Sequence, residues 1–315
     1  MRPRPSAAFA RALVALALVV GLTGGCTIRF GAAPSATATP SATATGLGTG
    51  EVPAEADTAY GFAVWRKPGE TYAVALARQS AALGAPGVIR YFYGPRPLEW
   101  PPERGATGDT PLIVSFKRPP AQVRTGAYDA EILGWLRKLP RDRVTWVAYE
   151  HEMDAKVAQG EYTADDVRAA FIHVSGLIDS LDNPALRSTL ILTGFEFRAR
   201  LAQIWPGREH VDVIGVDTYQ WASEPVASLF EENLSISREY GAPIGLGEFG
   251  VWQGSDAERA EYVRRTVEFA HGTYVWLTYF DADRSDVDGD HDWEISDLPL
   301  AAAAWRRAVD AATTD

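Results

Sequence analysis

The chain has 315 residues, 46% hydrophobic and 23% charged, with 28 Gly, 20 Pro and a mean hydropathy of -0.13. That composition excludes a disordered, collagen-like or polytopic membrane chain, and a formal charge of -11 excludes the basic footprint a nucleic-acid binder needs to neutralise phosphate. One cysteine, Cys26, and five His exclude an intramolecular disulfide framework, a multi-thiolate metal site and a His-rich metal cage.

The N-terminal stretch reads as an export signal. Arg2 and Arg4 precede an uninterrupted apolar run of 11 residues, Ala12 to Leu22. A bilayer-spanning helix needs about 20 residues, so this run suits the apolar region of a signal peptide instead. The following Thr23-Gly24-Gly25-Cys26 resembles a bacterial lipobox, which implies acylation of Cys26 after cleavage. Thr23 departs from the aliphatic residue usual there, with Leu22 one place early, and the alternative is ordinary cleavage beside an incidental cysteine. Residues 1–25 are therefore assigned to the signal and 26–57 to a linker, in which PSATAT occurs twice between Pro34 and Thr45 before a Gly-rich run. Small polar residues with Pro and Gly bury too little apolar surface to offset ordering entropy, so a tether is expected. Cleavage removes Arg2, Arg4 and Arg11 and no acid, which shifts the charge from -11 to -14. The expected location is the outer face of the cell membrane through the lipid, or otherwise the medium, as a monomer.

From Thr58 onward short β-branched or aromatic runs alternate with helical stretches. Eight strands are predicted: Tyr60–Trp65, Val88–Phe92, Leu112–Phe116, Val144–Tyr149, Thr189–Thr193, Val211–Val216, Ile244–Glu248 and Val275–Phe280. Continuous apolar runs of this length suit parallel strands buried on both faces. Helices are predicted over Glu70–Leu83, Tyr128–Leu139, Thr163–Leu181, Pro225–Tyr240 and Asp256–His271, with Thr163 to Asp166 as a capping sequence. The alternation and a length of roughly 250 residues predict a single-domain (β/α)8 barrel over 58–315. A doubly wound open sheet is the alternative, disfavoured because no Gly-rich phosphate loop follows a strand.

In such a barrel the chemistry sits at the C-terminal strand ends. Those ends carry Arg90 and Tyr93, Lys117, the run Glu150-His151-Glu152, Asp217 and Tyr219, Glu248, and Asp281 and Asp283. Carboxylates and aromatic rings on one rim suit glycoside hydrolysis, which needs one acid for the leaving oxygen and a second carboxylate at the anomeric carbon.

The segment Val147-Ala148-Tyr149-Glu150-His151-Glu152-Met153 resembles the His-Glu acid/base motif of glycoside hydrolase family 26. Pro243 to Gly250, ending Glu248-Phe249-Gly250, resembles that family's nucleophile motif, and Val211 to Tyr219 its sixth strand. The similarity extends through Pro111 to Lys117 and Gln159 to Thr163 to Trp305-Arg306, and is closest to the compact actinobacterial branch. The resemblance implies a retaining (β/α)8 enzyme with β-1,4-mannan as the leading substrate and no cofactor. It also implies Glu152 as acid/base, Glu248 as nucleophile, His151 as an orienting or substrate-contacting group, and Tyr219 as a hydrogen-bond donor to Glu248. Met153-Asp154-Ala155-Lys156 replaces the Asn-Gly and Trp cluster that follow the acid in full-length mannanases, so substrate specificity stays open.

Arg90 is a candidate supporting residue. Trp100, Trp221 and Trp252 lie in predicted loops after strands two, six and seven, where they are candidate sugar platforms, Trp252 foremost. Asp286, Asp288, Asp290, Asp292 and Asp297 place oxygen ligands at calcium-loop spacing, although Gly289 stands at position 4 rather than 6. The competing reading is an acidic solvated loop.

The preferred reading is a polysaccharide hydrolase held at the membrane by its lipid. The alternatives are a hydrolase of xylan or mixed-linkage glucan, a catalytically silent barrel that binds cell-surface polysaccharide, and a calcium-stabilised adhesin. Cys26→Ala is expected to release the protein from the membrane fraction into the medium, as followed by immunoblot. Continued membrane retention would refute the lipid anchor.

Overall fold

The computed structural model describes residues 58–93, 107–221, 225–284 and 291–312. Eight parallel strands close into a barrel in sequence order: β1 (Ala59–Ala63), β2 (Val88–Phe92), β3 (Leu112–Phe116), β4 (Thr145–Tyr149), β5 (Leu186–Thr193), β6 (Val213–Trp221), β7 (Ile244–Trp252) and β8 (Trp276–Tyr279). The ring closes where Ala59 pairs with Trp276, which excludes the open doubly wound sheet. Around it lie α1 (Tyr72–Leu83), α2 (Pro120–Val123), α3 (Asp129–Leu136), α4 (Met153–Ala158), α5 (Ala164–Asp179), α6 (Phe197–Ile204), α7 (Val226–Tyr240), α8 (Asp256–Ala270) and α9 (Pro299–Ala312). Among the described residues no helix is long and apolar enough to cross a membrane.

Side chains of alternating parity bury both strand faces. Ile89, Tyr91, Leu112, Val114, Val147 and Tyr149 point outward and pack under the helices. Val88, Ile113, Trp146, Ala148, Ile191, Val213 and Trp276 form a separate inner cluster. Two indoles in so narrow a space, Trp146 and Trp276 with ring centres 5.7 Å apart, require absent side chains opposite. Gly245 supplies one such gap, since a Cβ there would fall 1.3 Å from Trp276 Cε3. Trp276 thus fills the barrel rather than flooring a site.

Local signals start the helices where the sequence places them. Thr71 and Thr163 accept from the amides of Val74 and Asp166, and Ser255 with Glu258 forms a full capping box. The strands β6 and β7 differ from expectation by running on to Trp221 and Trp252. Pairing shifts between Val216 and Asp217, around Gly247, then resumes from Asp217 opposite Glu248 to Trp221 opposite Trp252. Thr278 fixes the irregularity by donating to the carbonyls of Leu246 and Gly247. The helices α2, α4, α6 and α9 have no counterpart among the predicted ones; the first three are only four to eight residues long.

Gly245→Ala is expected to lower the melting temperature by roughly 10 °C, because a closely packed core cannot absorb a methyl group there without moving Trp276. A melting temperature unchanged from wild type would show that the inner layer is loosely packed.

Candidate active site

Arg90 has the inward parity of β2, two residues above Val88, and its side chain is fully buried. Its Nη1 donates to Asp217 Oδ1 at 2.9 Å and its Nη2 to Asp217 Oδ2 at 3.1 Å. The same Nη2 lies 3.0 Å from Glu248 Oε1. Tyr219 donates its hydroxyl to Glu248 Oε2, so both oxygens of this carboxylate are held. Gly247 makes the cluster possible, since a Cβ there would stand 2.2 Å from Arg90 Nη1 and 2.5 Å from Asp217 Oδ1. Burial disfavours the Arg90 cation, but the adjacent Asp217 and Glu248 outweigh it and hold the guanidinium above its ordinary pKa. Burial and then the Glu248 charge push the Tyr219 phenol well up, so it remains a donor.

Across the barrel mouth, β4 ends in a turn that bends sharply. Glu150 and Glu152 have φ of 48° and 58°, a left-handed backbone that non-glycine residues adopt only where the surroundings enforce it. The enforcement comes from both sides: Glu150 N donates to Phe116 O at 2.8 Å and Glu152 N to Ile191 O at 2.9 Å. Behind the turn, buried Asp154 accepts from Thr193 N at 3.1 Å, from Thr193 Oγ1 at 2.5 Å and from Arg200 Nη1 at 3.0 Å. Glu152 has no ion pair among the described residues. Burial first, and then the negative charge of Glu248, push its carboxyl up to about 7.

His151, next to Glu152 in the turn, has its ring centre 5.3 Å from that of Phe92. Burial, reinforced by Arg90 and Lys117, holds its pKa well below the usual range, so the imidazole is neutral at physiological pH. Its Nδ1 is buried without a hydrogen-bond partner among the described residues. Glu150 is also buried, and desolvation raises it to about 7. A cleft of about 400 Å³ opens beside Glu152, lined among others by Thr193, Phe195, Asp217, Tyr219 and Gln220. One carboxyl held by a cation and a phenol thus faces another whose surroundings favour its protonated form. Environments of opposite character around two carboxyls are what divides acid from nucleophile.

No protein-family model matches the sequence, and a search of curated proteins finds no match. Solved structures do match. A GH26 beta-mannanase from Bacteroides ovatus superposes with a TM-score of 0.54 at 12% identity, covering 82% of this chain and 90% of that one. An endo-beta-1,4-mannanase double mutant from Cellulomonas fimi gives 0.56 at 15% identity over 80% and 70%. A GH128 curdlan-specific exo-beta-1,3-glucanase from Blastomyces gilchristii gives 0.52 at 12% identity over 79% and 97%. What they share with this chain is the barrel fold.

Of the residues singled out in the sequence, Glu152, Glu248, His151, Tyr219 and Arg90 meet around one mouth. Arg90 is sealed beneath it and holds carboxylates rather than facing the cleft. Trp252 ends β7 half-buried, with His291 edge-on at 4.4 Å. Trp221 lies opposite it in register at the end of β6, and Trp100 and Cys26 lie outside the described residues. So do Asp286, Asp288 and Asp290 of the candidate calcium loop. Asp292 accepts from Glu294 N, while Asp297 is exposed 3.9 Å from Lys67 Nζ.

The contacts of Asp217, the place of Trp293 and the cluster around Asp154 escaped the sequence reading. Asp217 was noted as a strand-end acid, but only its register opposite Glu248 reveals the shared guanidinium. Trp293 packs 4.8 Å from the Tyr219 ring and 5.7 Å from Phe280. It fits because Gly250 has no Cβ, which would lie 2.9 Å from Trp293 Cδ1. The Asp154–Thr193–Arg200 cluster joins three separate segments. A Gly two residues after a strand-end Glu was a usable signal for Trp293; nothing local announced the cluster.

The raised Glu152 carboxyl has a stability consequence. Its folded pKa of about 7 exceeds the ordinary glutamate value of 4.5, so the native state holds the proton longer than the unfolded chain. The group therefore costs nothing below about pH 4.5, and its cost grows with pH until it levels off above about 7. Glu152→Gln is expected to raise the melting temperature by several degrees at pH 8 and to change it little at pH 4.5. Equal effects at the two pH values in calorimetry would disprove the assignment.

Proposed function

We propose that this chain is a retaining glycoside hydrolase that cleaves a β-linked polysaccharide, β-1,4-mannan first among the candidates. The observation that carries this reading is the pair Glu152 and Glu248 on β4 and β7, one surrounded to keep its proton and one held by Arg90 and Tyr219. Glu248 would attack the anomeric carbon as Glu152 gives its proton to the departing glycosidic oxygen, breaking the sugar–oxygen bond and leaving a glycosyl ester on Glu248. Water would then lose a proton to Glu152 and displace Glu248, restoring both groups. Arg90 and Tyr219 orient the attacking carboxylate and receive it again as it leaves. Neutral His151 adds no positive charge that would strip Glu152 of its proton. The neighbouring mannanases support the mannan preference, and the similarity to a β-1,3-glucanase keeps a second linkage under test. The lipobox-like sequence ending at Cys26 supports export and a lipid-held form, with the linker as spacer.

Purified protein is incubated with β-mannan, xylan, mixed-linkage glucan and curdlan, and reducing ends are followed. At least one polymer is expected to be cut, with kcat/KM falling above about pH 7 as Glu152 of the free protein loses its proton. Glu248→Ala should lower the rate by more than about 1,000-fold. Retention predicts that the first anomer seen by proton NMR is β. Equal release by wild type and Glu248→Ala on every polymer would sink the hydrolase reading.

A further inference from the structure

The corner between β5 and α6 carries an aromatic ring that the mechanism above does not use. Among the described residues the large apolar side chains standing mostly in solvent are Val74, Leu300 and Phe195, at 53%, 53% and 68% exposure. Val74 and Leu300 lie on α1 and α9; Phe195 alone of the three lines the cleft beside Glu152. An isolated exposed apolar residue needs no explanation, but this one is braced. The Arg200 guanidinium carbon lies 5.2 Å from the centre of its ring. Arg200 in turn is held by Asp154 at 3.0 Å, by Thr193 Oγ1 at 3.2 Å and by Glu196 at 3.8 Å. Glu196, directly after the ring, has a φ of 51°, a left-handed backbone at a non-glycine residue.

Asp154 ties this assembly to the acid, for it follows Glu152 by two residues and its side chain is 1% exposed. The ring therefore keeps a fixed position relative to Glu152 before anything binds, which lowers the ordering cost of binding. A flat apolar ring lining the cleft suits the C–H face of a pyranose. Phe195 shares its wall with the proton donor, which must lie next to the departing oxygen. The sugar it can reach is therefore the one on the leaving-group side.

We propose that Phe195, braced by Arg200 and Asp154, is the stacking platform for the pyranose unit on the leaving-group side of the bond to be cut. This rests on the hydrolase reading for its direction, but binding tests it separately. Mannopentaose, cellopentaose, xylopentaose and laminaripentaose are titrated by calorimetry into the Glu152→Gln protein, with Phe195 intact, changed to Ala and changed to Tyr. Phe195→Ala is expected to weaken the pentaose that binds tightest by about tenfold, and Phe195→Tyr to restore it. Because the ring is mostly in solvent, the melting temperature should stay near that of the parent. Equal affinities with and without the ring, or no binding of any pentaose, overturn the platform. Binding that depends on Phe195 in a protein whose wild type releases no reducing ends would keep the platform and remove the hydrolase reading.

Discussion

A guanidinium with no exposed surface sits beneath the mouth of this barrel, and the arrangement above it depends on how that charge is compensated. Taking an ion out of water costs several kcal/mol unless partners with good geometry surround it. Arg90 meets that condition through both oxygens of Asp217 and one of Glu248. The requirement reaches back into the backbone. Gly247 must lack a side chain, β6 and β7 must slip in register beside it, and Thr278 must take up the carbonyls freed by the slip. Glu248 is oriented as a by-product of neutralising a buried cation, and Tyr219 occupies its second oxygen.

The opposite wall is built by different means. Strained backbone at Glu150 and Glu152, amides donated to two neighbouring strands and the buried Asp154 keep the β4 corner in place. Among the described residues no cation bonds to Glu152, so burial dominates and its proton is retained to about pH 7. The two carboxyls differ because one wall is organised around a charge and the other around backbone geometry. A single rigid barrel can impose both, since each strand end is fixed by its two neighbours.

Much of the fold was legible in the chain. Strand runs such as Leu112–Phe116 read correctly because burial on both faces leaves a continuous apolar signature, and α8 because Ser255 and Glu258 cap it locally. The ends of β6 and β7 were misjudged, since Asp217 and Glu248 look like strand terminators when the cation that neutralises them is distant in sequence. The three short helices lack the length for periodicity to emerge. At the site, Glu152, Glu248, His151 and Tyr219 were named from motif resemblance, whereas Trp293, Arg200 and Phe195 were not: Trp293 meets Tyr219 and Arg200 meets Asp154 from other segments, and Phe195 gains its brace only through Arg200.

Composition, strand–helix rhythm and two short motifs determined by themselves that the described chain forms a (β/α)8 barrel and that carboxylates gather on its rim. Those features are local: hydrophobic period, capping residues and strand-end chemistry act within a few positions. The tertiary structure alone decided that Arg90 joins Asp217 to Glu248, that Trp276 fills the barrel, and that Arg200 braces Phe195 beside Glu152. Each of these depends on a contact between segments far apart in the chain, the last through Asp154, which holds Arg200 beside Phe195. The energy of such a contact depends on burial and distance, and neither quantity exists until the barrel has closed.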